Sequence, residues 1–167
     1  MPHQHYDTEG FVLGHIDVRE SSRLLFVLTE KFGLIFALAQ GVREVRSKMR
    51  ANLQDYMCLR LGLVRGKEFW RVTSAEEIPW MSNLISSPEV YPKVSRIFSL
   101  VRRLVQGEAI DPEFYSGVKE VLLSKDSELI SVAKILKHLG YLKAESLKLD
   151  EGELLQAVNY SLSSSQL

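Results

Sequence analysis

Cationic side chains spaced to follow a line of phosphates are the residues of this sequence best suited to chemistry. Between Gln40 and Arg71 lie eight of them, Arg43, Arg46, Lys48, Arg50, Arg60, Arg65, Lys67 and Arg71, opposed only by Glu44, Asp55 and Glu68. Arg43, Arg46, Lys48 and Arg50 alternate with other residues. A loop or short helix can therefore fan them along a polyanion, which they would bind by displacing its counterions. Such contacts position a nucleic acid without reading its sequence. The whole chain is neutral, with 21 Lys and Arg against 21 Asp and Glu, so the asymmetry is local. Compensating acids such as Asp150, Glu151 and Glu153 lie outside the basic stretch. Taken alone, the same run would serve as a solvated surface loop.

Single-strand binding also uses aromatic platforms, each worth about 1–3 kcal/mol per base. Phe69 and Trp70 adjoin Lys67 and Arg71. On a strand, Phe69 shares a face with Lys67 and Arg71, which makes it the stacking candidate and turns Trp70 into the core. Catalysis has less support. His3, His5, His15 and His138 are scattered and match no metal-ligand spacing. His15 lies near Asp17 but has no nucleophile beside it. Cys58, between Met57 and Leu59, reads as a packing residue. As the only cysteine it excludes an internal disulfide and a multi-cysteine zinc site. No phosphate-cradling glycine pattern or nucleophile elbow occurs, so neither a cofactor nor an enzyme is expected.

These residues must be held by folded elements, and the composition allows it. The 167 residues are 46% hydrophobic and 25% charged, an ordinary folding composition. The longest apolar stretch is broken by Glu30 and Lys31, short of a membrane span, and the first ten residues carry no apolar signal core. A soluble, cytoplasmic protein is expected. The first half reads in period two. Strands are predicted over residues 9–18, with Phe11, Leu13 and Ile16 turned inward, over 23–29 and over 34–39, with a hairpin at Lys31-Phe32-Gly33. Residues 41–55 are too polar for a strand and predict a short helix; strands follow at 56–64 and 68–75, joined at Arg65-Gly66. Five strands with an insertion after the third predict a Greek-key barrel of the OB type. Such barrels bind oligonucleotides on strands two and three, between the first and last hairpin loops. That geometry adds Arg19 and Arg23 from the first loop, and Arg65, Lys67 and Arg71 from the last.

After Pro79 the period becomes 3.6, which divides the chain into residues 1–79 and 80–167. Val94, Ile97, Phe98, Val101, Leu104 and Val105 share a face, with Arg96 and Arg103 opposite. Asp111-Pro112 opens a second helix and Asp126 or Ser127 a third that Gly140 ends; Asp150 with Glu153 resembles a capping box for a last one. Ser161 to Leu167 reads as a frayed tail. The predicted class is α+β, a barrel followed by three to four helices.

Five segments in register resemble the N-terminal domain of the RecO family: Arg19-Glu20-Ser21-Ser22-Arg23-Leu24, Thr29-Glu30-Lys31-Phe32-Gly33, Ala39-Gln40-Gly41-Val42-Arg43, the stretch Ser47-Lys48-Met49-Arg50-Ala51-Asn52-Leu53-Gln54, and Thr73-Ser74-Ala75-Glu76. Ile135-Leu136-Lys137-His138-Leu139-Gly140-Tyr141 resembles the helix end that precedes the family's zinc-binding insert. Here Leu142 leads into Lys143-Ala144-Glu145 without further cysteines, so the resemblance is to a shortened member without the metal.

The resemblance implies a non-enzymatic mediator of recombinational repair in the bacterial cytoplasm, associated with the nucleoid. Its implied partners are single- and double-stranded DNA, the acidic C-terminal tail of the single-stranded DNA-binding protein SSB, and RecR. Its implied roles are strand annealing and, with RecR, loading of RecA. An acidic tail with an apolar end needs an apolar groove with a cationic rim, which Lys134, Leu136, Lys137 and Leu139 are expected to supply. The competing reading is a non-catalytic adaptor that docks SSB and RecR with only weak DNA contact.

Overall fold

The N-terminal strands are apolar on both faces, and the architecture follows from burying both. The computed structural model describes residues 4–109 and 111–165. Five strands, β1 His5–Val18, β2 Ser22–Thr29, β3 Gly33–Ala39, β4 Cys58–Arg65 and β5 Trp70–Glu77, close into a barrel ordered β1-β2-β3-β5-β4. Adjacent strands are antiparallel except at the short parallel seam where Ala37 meets Trp70 and Leu38 meets Arg71. The long β1 pairs twice, through residues 5–11 with β4 and through residues 10–18 with β2, with a bulge between Val12 and Gly14. This is the OB-type barrel that the strand pattern predicted.

One face of each strand fills the barrel, with Leu25, Val27, Ile35, Leu59, Leu61 and Trp70 among the interior residues. The opposite face supplies Phe11, Leu13, Phe26, Leu28 and Leu34 to a second core shared with the helices. The expectation for β1 is therefore corrected. Phe11 and Leu13 belong to the helix-facing core, Val12 fills the barrel, and Ile16 is 46% exposed. Alternation identifies a shared face but not which side of a sheet that face is on when both sides are buried.

Among the described residues five helices follow: α1 Pro79–Ile85, α2 Tyr91–Leu104, α3 Pro112–Leu123, α4 Glu128–His138 and α5 Glu151–Ser164, with a 3-10 turn at Ala144–Lys148. The count exceeds the three to four expected because α1, at seven residues, is too short to show a period. The caps lie where the sequence puts them. Asp111 accepts from the Phe114 amide, Ser127 from Ile130 and Asp150 from Glu153. The expected fraying does not occur over Ser161 to Ser164, which continue α5; Ser161 is buried and its hydroxyl donates to the Tyr141 carbonyl at 3.0 Å. His3, Gln166 and Leu167 lie outside the described residues. No helix among the described residues is long and apolar enough to cross a membrane.

The connection between β3 and β4 is a chain of turns rather than the short helix expected. Arg43, Arg46 and Arg50 would stack like charges three and four residues apart on a helix, which disfavours it. Fully buried Val42 and Leu53 anchor this segment to the barrel core instead. Asn52 Nδ2 fastens it to β5 through the Ala75 carbonyl at 2.9 Å.

A polar pin crosses the seam between barrel and helices. Glu9 Oε1 on β1 accepts from the Tyr115 hydroxyl at 2.9 Å and from Lys119 Nζ at 2.8 Å, both on α3. Beside it the Phe11 and Tyr115 rings stack with centroids 5.1 Å apart. Burial alone would raise the Glu9 pKa, but the bonds from Lys119 and Tyr115 outweigh it and hold the carboxyl below its ordinary range. Lys119 is raised, first by its bond to Glu9. A carboxylate lowered on folding stabilises fully above its unfolded range and loses that contribution as pH falls through the folded value. A raised lysine contributes fully below its unfolded range and loses its share as pH rises through the folded value. Glu9→Gln is expected to reduce stability in urea at pH 7 by about 1–3 kcal/mol. It should also flatten the acid-side fall in stability, measured as unfolding midpoint against pH; a wild-type acid slope in the variant would contradict the pin.

Candidate nucleic-acid interface

The first and last hairpin loops meet beside the outer face of β2 and β3. On that face Leu24 lies opposite Leu38 in the antiparallel register. A groove of about 580 Å³ opens there, floored by Leu24 and Leu38 and rimmed by Arg19, Arg65, Lys67, Phe69 and Arg71. Residues far apart in sequence are thus gathered on one surface, with Glu68 on the same lining.

Local backbone geometry presents these side chains. A side chain at Gly66 would run into the Phe69 carbonyl, so the turn between β4 and β5 needs this glycine to fold back tightly. Arg19 has φ 54°, in the left-handed region that costs a non-glycine residue about 1–2 kcal/mol. A strained cation on the rim of a groove is an arrangement associated with functional sites. Phe69 is 38% exposed, whereas Trp70 is 4% exposed and packs in the barrel against Tyr6 and Phe32.

Carboxylates decide which cations remain available. Arg65 Nη1 donates to Glu108 Oε2 at 2.6 Å, and its guanidinium lies 4.6 Å from the Trp70 ring centroid. The Trp70 indole N–H donates to the other oxygen of Glu108 at 3.0 Å. Arg65 therefore serves the barrel end as well as the rim. Arg19, Lys67 and Arg71 have no described carboxylate within ion-pair distance.

The other expected cations fall elsewhere. Arg23 and Arg43 both turn to Asp17, with Nε to carboxylate oxygen distances of 3.1 and 3.7 Å, and Arg23 also donates to the Leu53 carbonyl at 3.2 Å. With His15 Nδ1 2.5 Å from Asp55 Oδ1, they tie the turn-rich connection to the first hairpin. Arg46, Lys48 and Arg50 are exposed on that connection and do not line the groove.

The second expected site is not assembled. Leu136 is fully buried in the helical core and Leu139 packs against it, so neither lines an open groove. Lys134 Nζ is held by Asp126 Oδ2 at 2.6 Å, leaving Lys137 exposed alone. The nearby hollow between α3 and α4 is lined by Glu113 and Glu120, the wrong charge for an acidic tail.

Among the described residues no group of three or more His, Cys, Asp or Glu is placed to hold a metal ion. Burial, reinforced by the Glu9 charge, pushes the Cys58 thiol up to about 12, where it stays protonated. The floor residues Leu24 and Leu38 were not anticipated; their shared parity on β2 and β3 was the available signal.

The family model described as "Recombination protein O N terminal" matches residues 1–79. The protein named DNA repair protein RecO of Heliobacterium modesticaldum is 31% identical over 154 residues, covering 89% of this chain and 56% of the relative. The protein of that name from Clostridium novyi is 26% identical over 144 residues, covering 81% and 56%. A third, from Rubrobacter xylanophilus, is 33% identical over 73 residues, covering 44% and 29%. The chain spans about half the length of the first two of these relatives.

The strained rim residue separates binding from folding. Arg19→Gly relieves the left-handed strain while removing a charge, so its melting temperature is expected to equal or exceed that of the wild type. It should nevertheless elute from a heparin column at lower salt. Lower stability with unchanged elution would show that Arg19 supports the turn and not the interface.

Proposed function

The chain belongs to the RecO family, and on that premise we propose that it is a DNA-binding mediator of recombinational repair that captures single strands in the groove rimmed by Arg19, Arg65, Lys67, Phe69 and Arg71. The observation that carries this reading is the convergence of unpaired cations and an exposed phenyl ring on an apolar floor, at the face where OB barrels take oligonucleotides. Cations supply sequence-independent affinity and the ring supplies a platform every base can use. The exposed Arg46, Lys48 and Arg50 give a second cationic surface suited to the phosphates of a further strand or a duplex. Holding two strands on one molecule is the requirement for annealing, which belongs to the same proposal. So do association with RecR, engagement of the SSB tail, RecA loading onto SSB-coated DNA and a place at the bacterial nucleoid. Each of these is an extension from the family to this chain. The mode of action is capture and positioning rather than bond making.

Labelled oligothymidylate titrated at several salt concentrations tests the groove. Replacing Lys67 and Arg71 together by Ala should weaken binding and reduce the slope of log affinity against log salt by about 1.4, since each lost single-strand phosphate contact removes roughly 0.7. Replacing Arg43, Arg46, Lys48 and Arg50 together should reduce the slope for duplex DNA. Binding that is weak in the wild type and unchanged in both multiple variants would favour the adaptor that docks SSB and RecR with little DNA contact, a reading compatible with the pairing of Arg23, Arg43 and Arg65 to carboxylates.

A further inference from the structure

We propose that the bound strand continues past the groove to a second stacking site formed by Phe36 of β3 with Arg102 and Arg103 of α2, so that the helical half completes the DNA path. The inference rests on the single-strand reading above and extends it to residues outside the barrel's loops.

The strand register sets the path. On the outer face of β2 and β3, Leu24 pairs with Leu38, Phe26 with Phe36 and Leu28 with Leu34. The first pair floors the groove, and the last belongs to the core beneath the helices. The middle pair stands at the edge of the helical cover, where Phe36 is 41% exposed. From Ser22 to Phe26 this face of β2 runs about 13 Å, at roughly 3.3 Å per residue. A cleft of about 330 Å³ opens around Phe26, Phe36, Arg102 and Arg103.

The cleft has the same parts as the first groove. Phe36 meets Phe26 edge-on at 5.3 Å, leaving much of its own ring open to solvent. The Arg102 guanidinium carbon lies 3.6 Å from the Phe26 ring centroid. Its Nη1 occupies the space beside Gly14, where a Cβ would come within 3.1 Å, so the bulged, side-chain-free backbone of β1 seats this arginine. Neither Arg102 nor Arg103 has a described carboxylate within ion-pair distance.

Arginines in the last turn of a helix also suit its dipole. That accounts for their place in α2, but not for the exposed phenyl beside them or the seat at Gly14. An acidic peptide would match the two cations alone. A strip with an exposed aromatic and free cations at each end matches a repeating polyanion that carries planar bases.

Short and long labelled oligothymidylates separate the two sites. Phe36→Leu keeps an apolar side chain against Phe26 but removes the stacking face, and is expected to weaken the long strand about tenfold. Arg102→Ala with Arg103→Ala should lower the salt slope for the long strand by about 1.4. The short strand, held in the first groove, should keep its wild-type affinity in both. Ultraviolet cross-linking of iodouracil-substituted DNA to the unaltered chain should recover peptides containing Phe36 as well as Phe69, which guards against a variant that misfolds. Wild-type affinity for the long strand in both variants, with no cross-link at Phe36, overturns the second site while leaving the first to its own test. Loss of binding to a synthetic acidic peptide, with DNA binding intact, overturns it in favour of peptide docking. A wild-type chain that binds neither strand overturns both readings together.

Discussion

The two-sided apolarity of β1, β2 and β3 is the constraint from which the rest follows. A barrel interior can bury only one face of each strand. Leaving the other in water forfeits about 1.5–3 kcal/mol for each large aliphatic or aromatic side chain. The helices meet that requirement over Phe11, Leu13, Leu28 and Leu34. Beyond their reach, Leu24, Leu38 and Phe36 floor and line open clefts. The candidate interface is thus the uncovered remainder of a surface the fold otherwise spends on packing. Its position is set by how far α2 extends.

Within that frame, a few acidic side chains sort the arginines into structural and available sets. Asp17 takes both Arg23 and Arg43, and Glu108 takes Arg65 together with the indole of Trp70. Exposed pairs of this sort contribute little stability each, but they fix where a loop sits and cancel charge where it sits. A count of basic residues along the chain therefore overstates the field near the connection. It understates it at α2, where Arg102 and Arg103 go unopposed by any described carboxylate at ion-pair distance. A neutral chain can hold a cationic strip because most of its acids are placed elsewhere or already engaged, Glu68 on the groove lining being the exception.

This separates what could be read from the sequence from what could not. The strands, the hairpin at Gly33, the caps at Asp111, Ser127 and Asp150, and the exposure of Phe69 against the burial of Trp70 depend on neighbours within a few residues, and period and propensity report these. The side of the sheet on which Phe11 and Leu13 lie depends on whether helices cover the barrel, which is a tertiary fact. The turn-rich path of the connection follows from anchors at Val42 and Leu53 that outcompete helix formation among like charges. Leu136 illustrates the opposite error, because an apolar residue beside lysines can be a groove or a core, and only its neighbours decide. Phe36, Arg102 and Arg103 were illegible for the same reason. They converge from opposite halves of the chain, although the matching parity of Phe36 with Leu34 and Leu38 was there to be seen.

The bulge in β1 links these observations. One strand closes the barrel by pairing with both β2 and β4, which a flat, regular strand of this length does poorly. The extra residue between Val12 and Gly14 adds the local twist that lets β1 serve two partners. Because position 14 is glycine, the same irregularity leaves room for the guanidinium of Arg102 against the outer wall. Barrel closure and the seating of α2 thus share one backbone feature. A side chain at position 14 would strain a backbone held at φ 154° and press on the arginine, whose Nη1 lies 3.1 Å from where its Cβ would stand. The cationic cleft is therefore tied to the requirement that closes the sheet, not added to a finished barrel.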